Sequence, residues 1–89
     1  MVTYGFEFDL GAERDLLRLG TTVGQRVLDK VRWLAENIEG MPLEALTGRF
    51  RGTYKLRVGD YRVLFRIDHS AQHIKVVAVG HRSEVYDES

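Results

Sequence analysis

Lysine and arginine recur through the second half of the chain at strand spacing: Lys55, Arg57, Arg62 and Arg66, preceded by Arg49 and Arg51 and followed by Arg82. Arginine carries a planar fork that fits phosphate in a bidentate contact, and lysine a compact charge. Several of them on one rigid surface form a preorganised anion site. The chain has no cysteine, which removes thiolate and disulfide chemistry, and no carboxylate dyad accompanies the cations in sequence. Residues 47–82 hold eight Lys/Arg against two Asp/Glu, a net of +6, although the whole chain is formally neutral. The balance is acidic: five against eight in residues 1–46, and none against three in residues 83–89. A positive block of this kind fits a phosphate backbone or an acidic partner. The plain alternative is a solvated sheet face whose arginines pair with nearby acids, but only Asp60 and Asp68 are available locally.

The elements around the cations decide which way they point. Tyr54, Leu56 and Val58 alternate with Lys55 and Arg57; after Gly59 and Asp60, Tyr61, Val63, Phe65 and Ile67 alternate with Arg62, Leu64 and Arg66. This predicts a hairpin with a two-residue loop, and glycine at its first position suits a type II′ turn. Val58 then pairs with Tyr61, Arg57 with Arg62, Leu56 with Val63 and Lys55 with Leu64. One face of the hairpin is apolar and the other carries every basic side chain. Arg57 opposite Arg62 costs some tenths of a kcal/mol up to about 1 kcal/mol, which a phosphate or carboxylate would offset. A further strand over residues 74–80 follows a polar turn at 68–71. Being antiparallel to its predecessor, it returns His81, Arg82 and Tyr86 toward the hairpin turn.

The first half supplies the cover. Residues 2–8 read as a strand. Asp9 caps a short helix bearing Leu10, Leu16, Leu17 and Leu19, which Gly20 ends. Thr21 or Thr22 caps a longer helix in which Val23, Val27, Val31, Leu34 and Ile38 recur at helical period. Trp33 and Arg32 on it read as packing rather than as a base-stacking pair. Gly40 and Pro42 stop this helix, and residues 43–46 form at most one further turn. The expectation is one α+β domain over residues 1–89, in the order β-α-α-β-β-β: an antiparallel sheet of about four strands with two N-terminal helices packed on one face. With no basic-plus-apolar leader and no apolar run near roughly 18 residues, a cytoplasmic protein with no membrane partner is expected. His69 and His73 flank a turn and lack a cysteine or carboxylate cluster, so no metal and no cofactor are expected.

The residues Leu-Thr-Gly (46–48), Tyr-Lys-Leu-Arg-Val-Gly-Asp-Tyr-Arg-Val-Leu-Phe (54–65), Val-Val-Ala-Val-Gly-His-Arg (76–82) and a tyrosine near the end resemble the RelE/ParE superfamily of toxins from toxin–antitoxin pairs, across nearly the whole chain. The resemblance implies the RelE-like microbial ribonuclease fold. It also implies a ribosome-dependent endoribonuclease that cuts mRNA in the A site by metal-free attack of a ribose 2′-hydroxyl on its own 3′ phosphate, inhibiting translation. Such a transfer needs a base for the 2′ proton, cations for the phosphorane and an acid for the departing 5′ oxygen. The resemblance carries catalytic roles to Lys55, Arg62, Arg82 and Tyr86. Arg57, Arg51, Arg49 and Arg66 fall to RNA and ribosome contacts. RelE enzymes have a further lysine where this chain has Thr53, and a longer segment before the final tyrosine. His81 is therefore an alternative base, since an imidazole titrates near neutral pH. The implied partners are a RelB-like antitoxin, the ribosome and mRNA. The rival readings are a ParE-like gyrase inhibitor and an inactive homologue that only binds its antitoxin.

Overall fold

The Asp9 carboxylate accepts the Ala12 N–H at 2.9 Å and starts helix α1 (Leu10–Leu19), and Gly20, at φ +95°, ends it by donating its N–H to Leu16. Helix α2 (Thr21–Asn37) begins at the next residue, so Gly20 is also its N-cap. This corrects the expectation that Thr21 or Thr22 caps α2. A one-residue junction leaves no room for a side-chain cap, and none forms. The computed structural model describes residues 2–85.

Helical period places Val27, Val31, Leu34, Ala35 and Ile38 in the core, with Val23 partly buried beside them. Trp33 lies about 200° around the helix from Val31 and is 41% exposed, so it does not pack as expected. After Pro42 the chain is extended rather than helical. Residues Glu44–Ala45 form a two-residue strand, β2, paired antiparallel with the strand after it, where one helical turn was expected.

Strands β3 (Tyr54–Val58), β4 (Tyr61–Asp68) and β5 (His73–His81) pair in sequence, and the β3–β4 register is the one the alternation predicts. Gly59 has φ +60° and Asp60 has no positive φ, which excludes a type I′ turn and fits type II′. The opening strand β1 (Gly5–Phe8) pairs with β5, and parallel to it. The sheet is therefore five-stranded and mixed, in the order β1-β5-β4-β3-β2, rather than four-stranded and antiparallel. Alternation reveals that a segment is a strand but not which distant strand it joins. The α+β class, with both helices on one face, is as expected.

Leu56, Val58, Val63, Phe65, Ile74, Val76 and Val79 meet the helices. Val76 and Val79 share this face because β5 bulges: Leu64 opposes Ala78 and Phe65 opposes Val76, leaving Val77 unopposed. Beyond β1 the outer edge of β5 is served by α1, where the Asp15 carboxylate accepts the Val79 N–H at 2.9 Å. No helix among the described residues is long and apolar enough to cross a membrane.

Asp15 also contacts exposed Arg18 at 3.2 Å, so the two interactions can be separated. Asp15→Ala, which strands a sheet-edge donor, is expected to lower stability by about 1–3 kcal/mol in urea unfolding, and Arg18→Ala by less than about 1 kcal/mol. Equal losses would show that the Val79 bond does not hold α1 to the sheet.

Candidate anion site on the sheet face

The face opposite the helices carries Glu44, Lys55 and Leu64 in one cross-strand row and Arg57, Arg62 and Gly80 in the next. It is less open than the sequence suggests. Leu64 is 1% exposed although it lies outside the main core, and the Lys55 side chain is only 13% exposed. An added Cβ on Gly80 would stand 3.4 Å from that of Val85, so the chain after β5 turns back close to the sheet.

Glu44 is the residue that the sequence reading missed. Its carboxylate takes the Lys55 Nζ at 2.7 Å on one oxygen and approaches Arg57 Nη2 at 3.8 Å with the other. The hydrogen bond from Lys55 lowers its pKa below the ordinary 4.5, and Lys55, Arg57 and Arg62 add to the effect electrostatically. The counter-ion thus comes from the acidic first half of the chain, and not from Asp60 or Asp68. Its only sequence signal was a β-capable Leu-Glu-Ala-Leu stretch after a proline, which is too short for alternation to show.

Arg62 folds back on its own turn, where Nη1 donates to the carbonyls of Gly59 and Tyr61, each at 2.8 Å. This clamp leaves Nη2 and Nε for an anion. Arg82 is brought to the same end of the sheet by its backbone, whose N–H donates to the Asp60 carbonyl at 2.8 Å; its side chain is exposed.

His81 is placed differently. It pairs with Tyr61, against whose ring it stands edge-on with centroids 5.6 Å apart, and so has the opposite parity from Arg62. Its Nδ1 accepts the Ser83 N–H at 3.1 Å and lies 2.8 Å from Ser83 Oγ. A backbone amide can only donate, so the neutral ring carries its proton on Nε2 and has no free lone pair for a base. Thr53, where the resemblance leads one to look for a lysine, is 4% exposed and buried. Tyr86 lies outside the described residues. Arg49 stacks over Phe50 at 5.7 Å, and Arg51 is exposed on the same loop. Arg66 opposes Lys75, about 13 Å along the strand from Arg62, and does not join the cluster.

A protein-family model described as the ParE toxin of type II toxin–antitoxin systems, parDE, matches residues 6–86. Toxin RelG of Mycobacterium tuberculosis is 30% identical over 86 residues, which is 93% of this chain and 95% of that protein. A chain of the toxin–antitoxin complex RelBE2 from Mycobacterium tuberculosis superposes with a TM-score of 0.82 at 29% identity, covering 94% of this chain and 97% of that one. The isolated RelE toxin of E. coli gives 0.68 at 27% identity, covering 96% and 93%.

The lowered Glu44 pKa means that its ion pair stabilises the fold above the ordinary glutamate range, and that this contribution is lost as pH falls through the lowered value. NMR titration of the Glu44 side-chain carboxyl is expected to give a midpoint below 4.5 that rises in Lys55→Met. A midpoint unaffected by Lys55→Met would show that Lys55 is not the cause.

Proposed function

Because the chain belongs to the RelE/ParE superfamily of toxins from type II toxin–antitoxin pairs, we propose that it is a ribosome-dependent endoribonuclease that cuts mRNA in the A site and is held inactive by a RelB-like antitoxin. The observation that carries this reading is the register placing Lys55, Arg57 and Arg62 on one sheet face, with Arg82 tied to the same turn. In the proposed reaction the ribose 2′-oxygen attacks the adjacent phosphorus and the bond to the 5′ oxygen breaks, leaving a 2′,3′-cyclic phosphate and a 5′-hydroxyl.

Arg62 and Arg82 stabilise the charge that develops on the phosphorane oxygens. Arg62 serves best because its turn contacts fix it before substrate arrives, so little reorganisation is needed. Lys55, already donating to a carboxylate, acts as a cation and not as a base. The acceptor on this face is Glu44, which we assign to the 2′ proton once phosphate replaces it against Lys55 and Arg57. We also assign Tyr86 to the proton that the leaving 5′ oxygen takes up. Lys55 and Arg57 are cations of the kind that an acidic antitoxin segment would cover.

The match to the ParE toxin family over residues 6–86 supports a second reading, a ParE-like inhibitor of DNA gyrase with no chemistry of its own. The buried Thr53 in place of a lysine supports a third, a homologue that retains only antitoxin binding.

Primer extension on mRNA in a purified translation system separates these. Cleavage within the A-site codon is expected to require ribosomes and to fall about 100-fold or more in Arg62→Ala and in Arg82→Ala. Glu44→Gln is expected to lose cleavage while keeping the fold. Intact message with inhibited supercoiling would establish the gyrase reading, and intact message with unaffected gyrase the third.

A further inference from the structure

A second group of cations lies on the other side of the hairpin turn. Arg26, Asp29, Lys30 and Trp33 follow one stripe of α2, and with Arg57, Val58 and Gly59 they line a cleft of about 470 Å³. The Arg26 guanidinium rests on the turn so closely that a Cβ added to Gly59 would meet its Nη2 at 2.5 Å. Lys30 Nζ sits 4.0 Å from the Trp33 ring centroid.

These charges are not balanced locally. Asp29, the acid in the cleft, is turned to its own helix, accepting from Gln25 at 2.9 Å and from Arg32 at 3.4 Å. Among the described residues neither Arg26 nor Lys30 forms an ion pair. Arg57 approaches Glu44 at 3.8 Å, a distance that gives a weak contact. In a chain with zero net charge, three cations around one cleft mark a place where negative charge is missing. Beside them Trp33 is 41% exposed, with Lys30 over one face of its ring. Cations spaced along a groove with an aromatic surface are the elements that hold a single nucleic acid strand, the cations on phosphates and the ring against a base.

We infer that Arg26, Lys30, Arg57 and Trp33 form a docking cleft for single-stranded RNA, separate from the cleavage residues and joined to them through Arg57. The inference rests on the proposed RNA target and deepens it. The strand runs from the sheet face, over the edge of β3 at Arg57, into the groove beside α2. Residues Leu56–Val58 leave that path open because β2 pairs only with Tyr54 and Lys55. Arg26, Lys30 and Trp33 contribute affinity and register and take no part in the bond-breaking step, and Arg57 links them to the reacting phosphate.

The test uses a labelled 2′-O-methyl oligonucleotide, which cannot be cleaved, with binding followed by anisotropy across a salt series and folding checked by thermal unfolding. Arg26→Ala combined with Lys30→Ala is expected to weaken binding about tenfold and to flatten the log–log salt slope by about 1.4, the loss of two phosphate contacts on a single strand. Trp33→Ala is expected to weaken it about tenfold with the slope unchanged. Trp33 is the only tryptophan, so its emission reads the cleft directly and is expected to be quenched as RNA binds. Unchanged affinity and slope in the double variant, or unquenched emission at saturating RNA, would overturn the inference. Variants that bind the oligonucleotide normally but lose an oligoglutamate peptide would overturn it too, assigning the cleft to an acidic protein. The cleavage reading fails separately: intact message with cation-dependent RNA binding sinks that reading alone, and cleavage with unchanged binding sinks the cleft alone.

Discussion

Everything that concerns anions in this fold is referred to the two-residue turn at Gly59 and Asp60. A loop of that length admits one register, and the register decides that Arg57 faces Arg62 and that both leave the core side to Val58 and Tyr61. The turn's own polar atoms then hold the cations. Its carbonyls take Arg62 and the amide of Arg82, and its glycine leaves the space that Arg26 fills. A side chain at position 59 would be strained at φ +60° and would also collide with that guanidinium. Three arginines from three segments, Arg26 of α2, Arg62 of the hairpin and Arg82 after β5, thus meet one bend, and the register that the bend sets places Arg57 opposite Arg62.

The cost of gathering like charges is met unevenly. On the sheet face Glu44, at the edge of the sheet and half in solvent, compensates Lys55 and part of Arg57. Around α2, among the described residues, no acid pairs with Arg26 or Lys30, since Asp29 is committed to its own helix. The two basic regions differ in kind: one is a site with a resident counter-ion, the other a surface without one.

How much of this could be read from the sequence follows from the range of each interaction. The hairpin, its register and the core stripe of α2 depend on residues a few positions apart, and their periods are legible. Glu44 was hidden because β2 is two residues long and its partner Lys55 lies eleven positions on, so nothing local distinguishes it from a helical turn. The parity of His81 follows from the β4–β5 pairing, which sets His81 opposite Tyr61 and Gly80 opposite Arg62, so that neighbours in Gly-His-Arg face opposite ways. The outward position of Trp33 follows from helical period alone, but an aromatic beside an apolar stripe is easily assigned to it. The bulge at Val77 carries no local mark, because valine occupies strand and bulge alike.

The parallel pairing of β1 with β5 bears on how the protein comes into being. Residues 5–8 can find their partner only after residues 73–76 exist, and the helices that cover the sheet are tethered to β1 at Asp9, whose N–H bonds Val76. Contacts between distant segments form late and slowly, because the intervening chain must first be ordered. During synthesis the hairpin with its arginines is therefore completed before the strand that anchors the helical layer has anything to join. For a chain of this superfamily the order matters: the nascent polypeptide carries a basic hairpin before residues 73–76 are there to join β1, and the finished sheet appears only after them.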